Sequence, residues 1–158
     1  MTLPQGFLGT RADILLDLVM VSLVVVVPIL VFSWTRVRAR EYALHKTTQL
    51  TLLVVLTIAV LAFELNMRNL GGIFEATRAS RYAGTGTLNF WIWFHTAFAI
   101  ATSVVWLALG IASVRRFPKP PHPNAFSGTH RFWGRIGMLV MAVTGLSAIP
   151  LYVYGFAL

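Results

Sequence analysis

The stretch NFWIWFHTAFAIATSVVWLALGIASVRR, residues 89–116, decides the fold, because it is an apolar segment long enough to cross a bilayer and it contains the ionisable side chain of His95. On a helix with 100° per residue, its aromatic, polar and small residues share one stripe: Trp91, His95, Ala99, Thr102, Trp106 and Ser113. A stripe of this composition favours a face turned towards other helices. We therefore expect His95 inside a helix bundle. An ionisable group there is a candidate for function, and the alternative is a neutral histidine that only packs.

The composition is that of an integral membrane protein. Hydrophobic residues make up 57% of the 158 residues and charged residues only 11%, whereas about a quarter of the residues of a soluble domain are charged. The chain has no cysteine, which excludes disulfides, thiolate metal sites, iron–sulfur clusters and covalent haem attachment. It also lacks a recognisable catalytic serine, phosphate loop or zinc-protease motif, so we expect no enzyme.

Hydropathy predicts one all-α domain over residues 1–158, an integral membrane four-helix bundle. The predicted spans cover about 12–34, 46–66, 89–114 and 130–154. Thr10 is expected to cap the first span, and Ser127 or Thr129 the fourth. The polar stretch 67–88 is long for a plain connection, which indicates a short interfacial helix near residues 73–82.

Lys and Arg are unevenly distributed between the two sides of this bundle. Nine flank the connections between spans one and two and between spans three and four: Arg36, Arg38, Arg40, Lys46, Arg115, Arg116, Lys119, Arg131 and Arg135. Four lie on the other side: Arg11, Arg68, Arg78 and Arg81. The positive-inside rule then predicts both termini outside and the two basic connections in the cytoplasm of a bacterial inner membrane. We expect the net charge of +8 to face the lipid bilayer and not nucleic acid, because it flanks apolar spans.

This orientation divides the histidines of the spans between two candidate sites. His45 and His130 begin spans two and four on the cytoplasmic side, whereas the helical rise puts His95 roughly 20 Å away along the membrane normal. Two histidines from two helices at one depth are the minimum for axial ligation of a haem, with Arg131 and Arg135 available for its propionates. The alternative is a pair of solvated interfacial histidines that bind nothing.

The outer candidate site combines His95 with two carboxylates. Asp17 of span one and Glu64 of span two lie within about one turn of the depth of His95. Such a set could bind a metal ion or a proton. Alternatively, Asp17 interacts only with its helix N-terminus and Glu64 pairs with Arg68 at i, i+4.

Three motifs carry a resemblance to a known family. They are ALHKTTQLTL (His45), FWIWFHTAFAI (His95) and GTHRFWGRIGM followed by AVTGLSAIPLYVY (His130). Over roughly residues 30–155 the chain resembles the CtaM/YozB group of small four-span membrane proteins. The resemblance implies an accessory protein for maturation of haem-copper terminal oxidases, one that handles haem or copper, with the histidines as ligands.

Two other functions remain open. One is a small b-type cytochrome, although no span carries two histidines two to four turns apart, as a stacked pair of haems requires. The other is a structural subunit of a larger respiratory complex. For that role the small-residue stripe of span four would suffice: Gly134, Gly137, Met141, Thr144, Ala148 and Tyr152.

Overall fold

The computed structural model describes residues 3–158. Its helices are α1 (Ile14–Arg38), α2 (Tyr42–Asn69), α3 (Ile73–Ala76), α4 (Gly86–Arg116) and α5 (Ser127–Tyr152), and α5 continues into a π-helical turn at Val153–Ala157. The all-α prediction is confirmed. The four long helices begin and end within four residues of the predicted spans, and each is long and apolar enough to cross a membrane.

The four long helices form a closed ring of neighbours. Helix α1 packs against α2 and α5, and α4 packs against α5 and α2. We call the end with the connections 39–41 and 117–126 the basic end, since it carries the nine Lys and Arg residues named above. The opposite, far end holds the described N-terminal segment, the C-terminus and the connection 70–85, in which α3 is much shorter than the predicted interfacial helix.

Helix α1 is capped by Asp13, so the prediction of a Thr10 cap was wrong. Asp13 Oδ1 accepts hydrogen bonds from the backbone N–H groups of Leu15 and Leu16, both at 2.9 Å. The helix begins at Ile14, later than predicted, and aspartate is as good an N-cap as threonine. The Thr10 hydroxyl instead accepts from the Ala12 N–H at 3.2 Å.

Helix α5 has no side-chain cap, because Phe126 occupies the N-cap position. The predicted caps Ser127 and Thr129 both fall inside the helix. The Ser127 hydroxyl accepts from the Asn124 N–H at 2.9 Å instead, and the Asn124 side-chain amide donates to the Arg116 carbonyl at 2.8 Å. Asn124 thereby ties the proline-rich connection to the end of α4.

A row of polar contacts runs the length of the α4–α5 interface and confirms the stripe predicted for α4. The contacts are His95 Nδ1 with Ser147 Oγ (3.1 Å), Thr102 Oγ1 with Thr144 Oγ1 (2.9 Å), Trp106 Nε1 to the Gly137 carbonyl (3.0 Å) and Ser113 Oγ with His130 Nδ1 (3.0 Å). The α4 members lie seven, four and seven residues apart, the spacing at which residues return to one helix face.

Glycines on α5 allow its neighbours to approach closely. A Cβ at Gly145 would meet the Leu23 carbonyl oxygen of α1 at 2.9 Å, and a Cβ at Gly137 would meet the Trp106 indole of α4 at 3.2 Å. Gly137 of the small-residue stripe, and Gly145 beside the stripe, are therefore covered from within the bundle.

Replacement of Gly145 by alanine should destabilise the bundle by about 1–3 kcal/mol, because the Leu23 backbone must shift to admit the methyl group. This cost should exceed the gain of about 1 kcal/mol that alanine brings to a helix interior. Gly134→Ala is the matched control, since its Cβ would meet only Leu109 at 3.9 Å, and it should be neutral or slightly stabilising. Unfolding free energies in one detergent measure both, and equal stability of the two variants would contradict the close α1–α5 contact.

Candidate functional site

All four long helices contribute a side chain to one polar cluster at the basic end. Its members are Ser33 of α1, His45 and Gln49 of α2, Ser113 of α4 and His130 of α5. The ring centres of His45 and His130 lie 6.3 Å apart, with an interplanar angle of 82°. The expectation that these two histidines from different helices meet at one depth is therefore confirmed. We call this pair, with its partners, the His45–His130 site.

Ser33 holds the His45 ring from α1 and is itself completely buried. His45 Nδ1 lies 2.8 Å from Ser33 Oγ and 3.1 Å from the Ser33 carbonyl oxygen, and the Gln49 amide donates to the same hydroxyl at 2.9 Å. A carbonyl can only accept, so both His45 contacts are satisfied together only when Nδ1 carries the proton. In that tautomer the lone pair of the ring lies on Nε2.

His130 is held in the same way from α4, with its Nδ1 3.0 Å from Ser113 Oγ. Two aromatic rings flank it, Phe117 with a centre-to-centre distance of 5.1 Å and Phe126 with 6.1 Å. The Arg116 guanidinium lies over the outer ring, 5.0 Å from the centre of Phe126. The His130 imidazole is thus held by one hydroxyl and packed against two aromatic rings.

The Nε2 atoms of both rings are uncommitted within residues 3–158, where neither makes a hydrogen bond. In that range, every fully buried side-chain nitrogen or oxygen of a non-exposed residue has a hydrogen-bond partner. Because the two Nε2 atoms have no partner, each must retain solvent-accessible surface. Two fixed imidazoles with open Nε2 atoms can bind a metal ion. Across the part of the chain that the structure describes, no group of three or more His, Asp or Glu side chains could hold a metal ion.

Arg131 and Arg135, predicted as partners of haem propionates, follow His130 on α5. Both side chains are exposed at the basic end. Their guanidinium groups therefore remain available to an anionic group beside the His45–His130 site, but the structure gives them no contact with either imidazole.

The predicted outer site, Asp17 with Glu64 and His95, is not brought together. Glu64 is exposed and pairs with Arg68 at 3.0 Å, as its i, i+4 spacing allows. His95 faces α5 as expected and contacts Ser147. Asp17 is completely buried and belongs to a separate network. Each of the three side chains therefore has its own partner, and the structure does not bring them into one site.

The network around Asp17 closes the far end of the bundle. Its carboxylate accepts hydrogen bonds from the Leu8 N–H at 2.7 Å and from the Tyr152 hydroxyl, which also contacts Thr10 Oγ1 at 2.6 Å. The backbone at Gly6 lies so close to the carboxylate that a Cβ has no room. The segment before α1 is thus folded back over the bundle and joined to the end of α5.

Some of these partners could not be predicted from the sequence. Tyr152 and Ser113 were on predicted stripes, but nothing singled out Ser33, a lone serine in an apolar run, as the residue that holds His45. The fold-back of the N-terminal segment onto Asp17 had no local pattern, nor did the contact of Asp17 with Tyr152, 135 positions away.

Comparison of the chain with protein-family models, with curated proteins and with solved structures found no match. The resemblance to the CtaM/YozB group therefore remains a prediction, and the site has to be interpreted from its own geometry.

Replacement of Asp17 by alanine should cost about 1.5–3 kcal/mol of stability, because it leaves the Leu8 N–H and the Tyr152 hydroxyl without their charged acceptor. The control is Glu64→Ala, which removes only an exposed ion pair and should cost less than about 0.5 kcal/mol. Thermal unfolding and protease sensitivity of the N-terminal segment measure the difference. A loss common to both variants and reproduced by a metal chelator would instead favour the predicted metal site.

Proposed function

We propose that the protein is a membrane accessory protein for maturation of a haem-copper terminal oxidase, and that it handles haem or copper at the His45–His130 site. One observation carries the cofactor part of this proposal. Imidazoles from two helices stand 6.3 Å apart, each with Nδ1 held by a serine of a neighbouring helix and Nε2 left open.

The separation of the rings fits one metal centre bound by both. Two imidazoles that bind one ion in line at about 2.0 Å each have their ring centres about 6 Å apart, close to the observed distance. The hydrogen bonds to Ser33 and Ser113 are the outer-shell contacts that orient ligating histidines in metalloproteins. When bound, such a centre would supply a redox-active metal that the protein can carry or pass on.

The partner follows from the resemblance and not from the geometry. The four long helices suit a protein embedded in the lipid bilayer, so a partner would meet it in or beside the membrane. A site with only two protein ligands leaves coordination positions open, through which a metal can be handed to another protein. This is the role of a carrier, for which no enzyme chemistry is needed.

Two alternatives are less well supported. A b-type cytochrome would use the same pair of histidines, but one pair ligates one haem and provides no second redox centre across the membrane. A structural subunit would dock through the small-residue stripe of α5, yet Gly137 of that stripe is covered by Trp106 of α4.

Replacement of His45 or His130 by alanine should abolish bound haem or copper while leaving the chain folded, because a ligand is lost and the apolar packing is retained. The purified wild type and variants are compared for haem by visible spectrum, for copper by elemental analysis, and for thermal unfolding. His122→Ala is the control, since His122 is exposed on the connection 117–126 and bonds only to the Pro120 carbonyl.

The same variants test the cellular role. His45→Ala and His130→Ala should lower the activity of the mature terminal oxidase in cells, whereas His122→Ala should not. A wild type that takes up neither haem nor copper, together with normal oxidase maturation in both site variants, would replace this function by the structural-subunit alternative.

We further propose that the basic end faces the cytoplasm of a bacterial inner membrane and that both termini lie outside. The support is the distribution of nine Lys and Arg residues at the basic end against four at the far end. Because the chain has no cysteine, Ala39→Cys, Ala125→Cys and Ala83→Cys each introduce a single thiol at an exposed position.

An impermeant thiol reagent applied to intact cells should label the cysteine at position 83 and spare those at positions 39 and 125. After permeabilisation all three should react. Labelling of positions 39 and 125 from outside would reverse the proposed orientation.

A further inference from the structure

We infer that the species bound by the His45–His130 site is copper(I), held in two-coordinate, in-line geometry by the Nε2 atoms of both rings, and that Ser33 and Ser113 are the positioning residues of this site. The inference rests on the proposed function and narrows it from haem or copper to one monovalent ion.

The number of ligands favours a monovalent ion. Zinc takes four ligands in a tetrahedron, and copper(II) prefers four in a square plane. Within residues 3–158 only two imidazoles converge here, no carboxylate joins them, and the chain has no thiolate. The Ser33 and Ser113 hydroxyls already face the Nδ1 atoms. A soft ion with a filled d shell, such as copper(I), can be bound stably by two ligands at opposite sides of the ion.

The distance between the rings favours the same geometry. With metal–nitrogen bonds of about 2.0 Å, ring centres lie about 6.4 Å apart when the two bonds are in line and about 5 Å apart at a tetrahedral angle. The observed 6.3 Å agrees with the in-line arrangement. The separation of the ring centres therefore leaves room for an in-line ion between them, whereas a tetrahedral ion would require the rings to approach by about 1 Å.

Both ligands are neutral, which also favours a low ionic charge. The site lies at the end of the bundle where Arg131 and Arg135 add positive charge, and repulsion of a divalent ion by these groups is twice that of a monovalent one. The same arginines would suit the propionates of a haem. The choice between haem and copper(I) therefore depends on space.

A flat macrocycle held by both rings would extend into the bundle interior, which is packed with apolar side chains. Small residues of α5 could have left a slot for a haem, but the Trp106 indole lies against Gly137 and donates to its carbonyl. An apolar cluster begins deeper in the bundle, about one turn from Ser33 along α1 and about two turns from His45 along α2: Val26, Leu30, Leu52 and Met141, with Ile29, Leu56, Trp106 and Met138 against them. On the other side Phe117 and Phe126 flank His130. A single ion needs only the gap between the two rings.

Ser33 and Ser113 act on the ion through the histidines. By engaging Nδ1 they fix the direction of each ring, and at His45 the Ser33 carbonyl also requires the proton on Nδ1, which leaves the lone pair on Nε2. The third histidine of the spans provides an internal comparison, because His95 makes the same kind of contact with Ser147 at the other end of the α4–α5 interface. Ser147→Ala should therefore disturb helix packing about as much as Ser33→Ala or Ser113→Ala, without affecting ion binding at the His45–His130 site.

The test uses the full-length protein in detergent under anaerobic conditions, with copper(I) kept reduced by ascorbate and competed by a chromophoric copper(I) chelator. Zinc(II) and haemin are offered separately. We expect one copper(I) per chain, two nitrogen ligands by X-ray absorption, at least 100-fold weaker binding of zinc, and no histidine-ligated haem spectrum.

Outer-shell substitutions typically lower metal affinity 10–100-fold, so Ser33→Ala and Ser113→Ala should each weaken copper(I) binding by that factor while Ser147→Ala leaves it unchanged. Thermal unfolding is recorded for all three. If Ser33→Ala fails to fold, Ser113→Ala decides, because that serine is only half-buried and holds the other ring. Equal copper affinity in the wild type and the folded variants would overturn the positioning role.

The remaining outcomes separate this inference from the function on which it rests. A haem bound by the wild type and lost in His45→Ala would overturn copper(I) and leave the proposed function standing. Tighter binding of zinc, or three or more ligands in the absorption spectrum, would also overturn copper(I). Uptake of neither copper nor haem would overturn both.

Discussion

The structure depends on the need of the polar side chains inside the apolar bundle to find hydrogen-bond partners, which for the histidines of the spans lie on neighbouring helices. Lipid offers no hydrogen bonds, so an unpaired polar group there is costly. Each histidine of the spans meets a serine across a helix interface: His45 with Ser33, His95 with Ser147 and His130 with Ser113. Within residues 3–158 no buried side-chain nitrogen or oxygen lacks a partner. These contacts fix the rotation and the register of the helices, which uniform apolar packing alone would leave free.

Rotation and depth are predictable from sequence to different degrees. The depth of a residue follows from the helical rise, and the face of a helix follows from its periodicity, so the α4 stripe and the meeting of His45 with His130 could be foreseen. The order of the helices around the bundle is a property of packing. For that reason the helical rise could predict a similar depth for Asp17, Glu64 and His95 but not whether they meet, and in the structure each has a different partner.

Depth and periodicity could not predict hydrogen-bond partners that come from distant parts of the chain. Asp17 fits the sequence as a first-turn acid of α1, but its partners come from the segment folded back before the helix and from Tyr152, 135 residues away. Ser33 is a lone hydroxyl among apolar residues, and only the packing of α1 against α2 gives it His45 and Gln49. Short polar side chains reveal their role only when the opposing helix is known.

The two ends of the bundle use similar residues for different purposes. At the far end the carboxylate of Asp17 is saturated by fixed donors, and His95 meets only a serine, so neither has a second ligand close enough to chelate an ion. At the basic end α2 and α5 bring two imidazoles together, and the serines occupy Nδ1 while Nε2 stays open on both. One kind of contact, a serine on a histidine, therefore completes the packing where the histidine stands alone and prepares a pair of ligands where two histidines meet. The proposed binding of a metal rests on that meeting point.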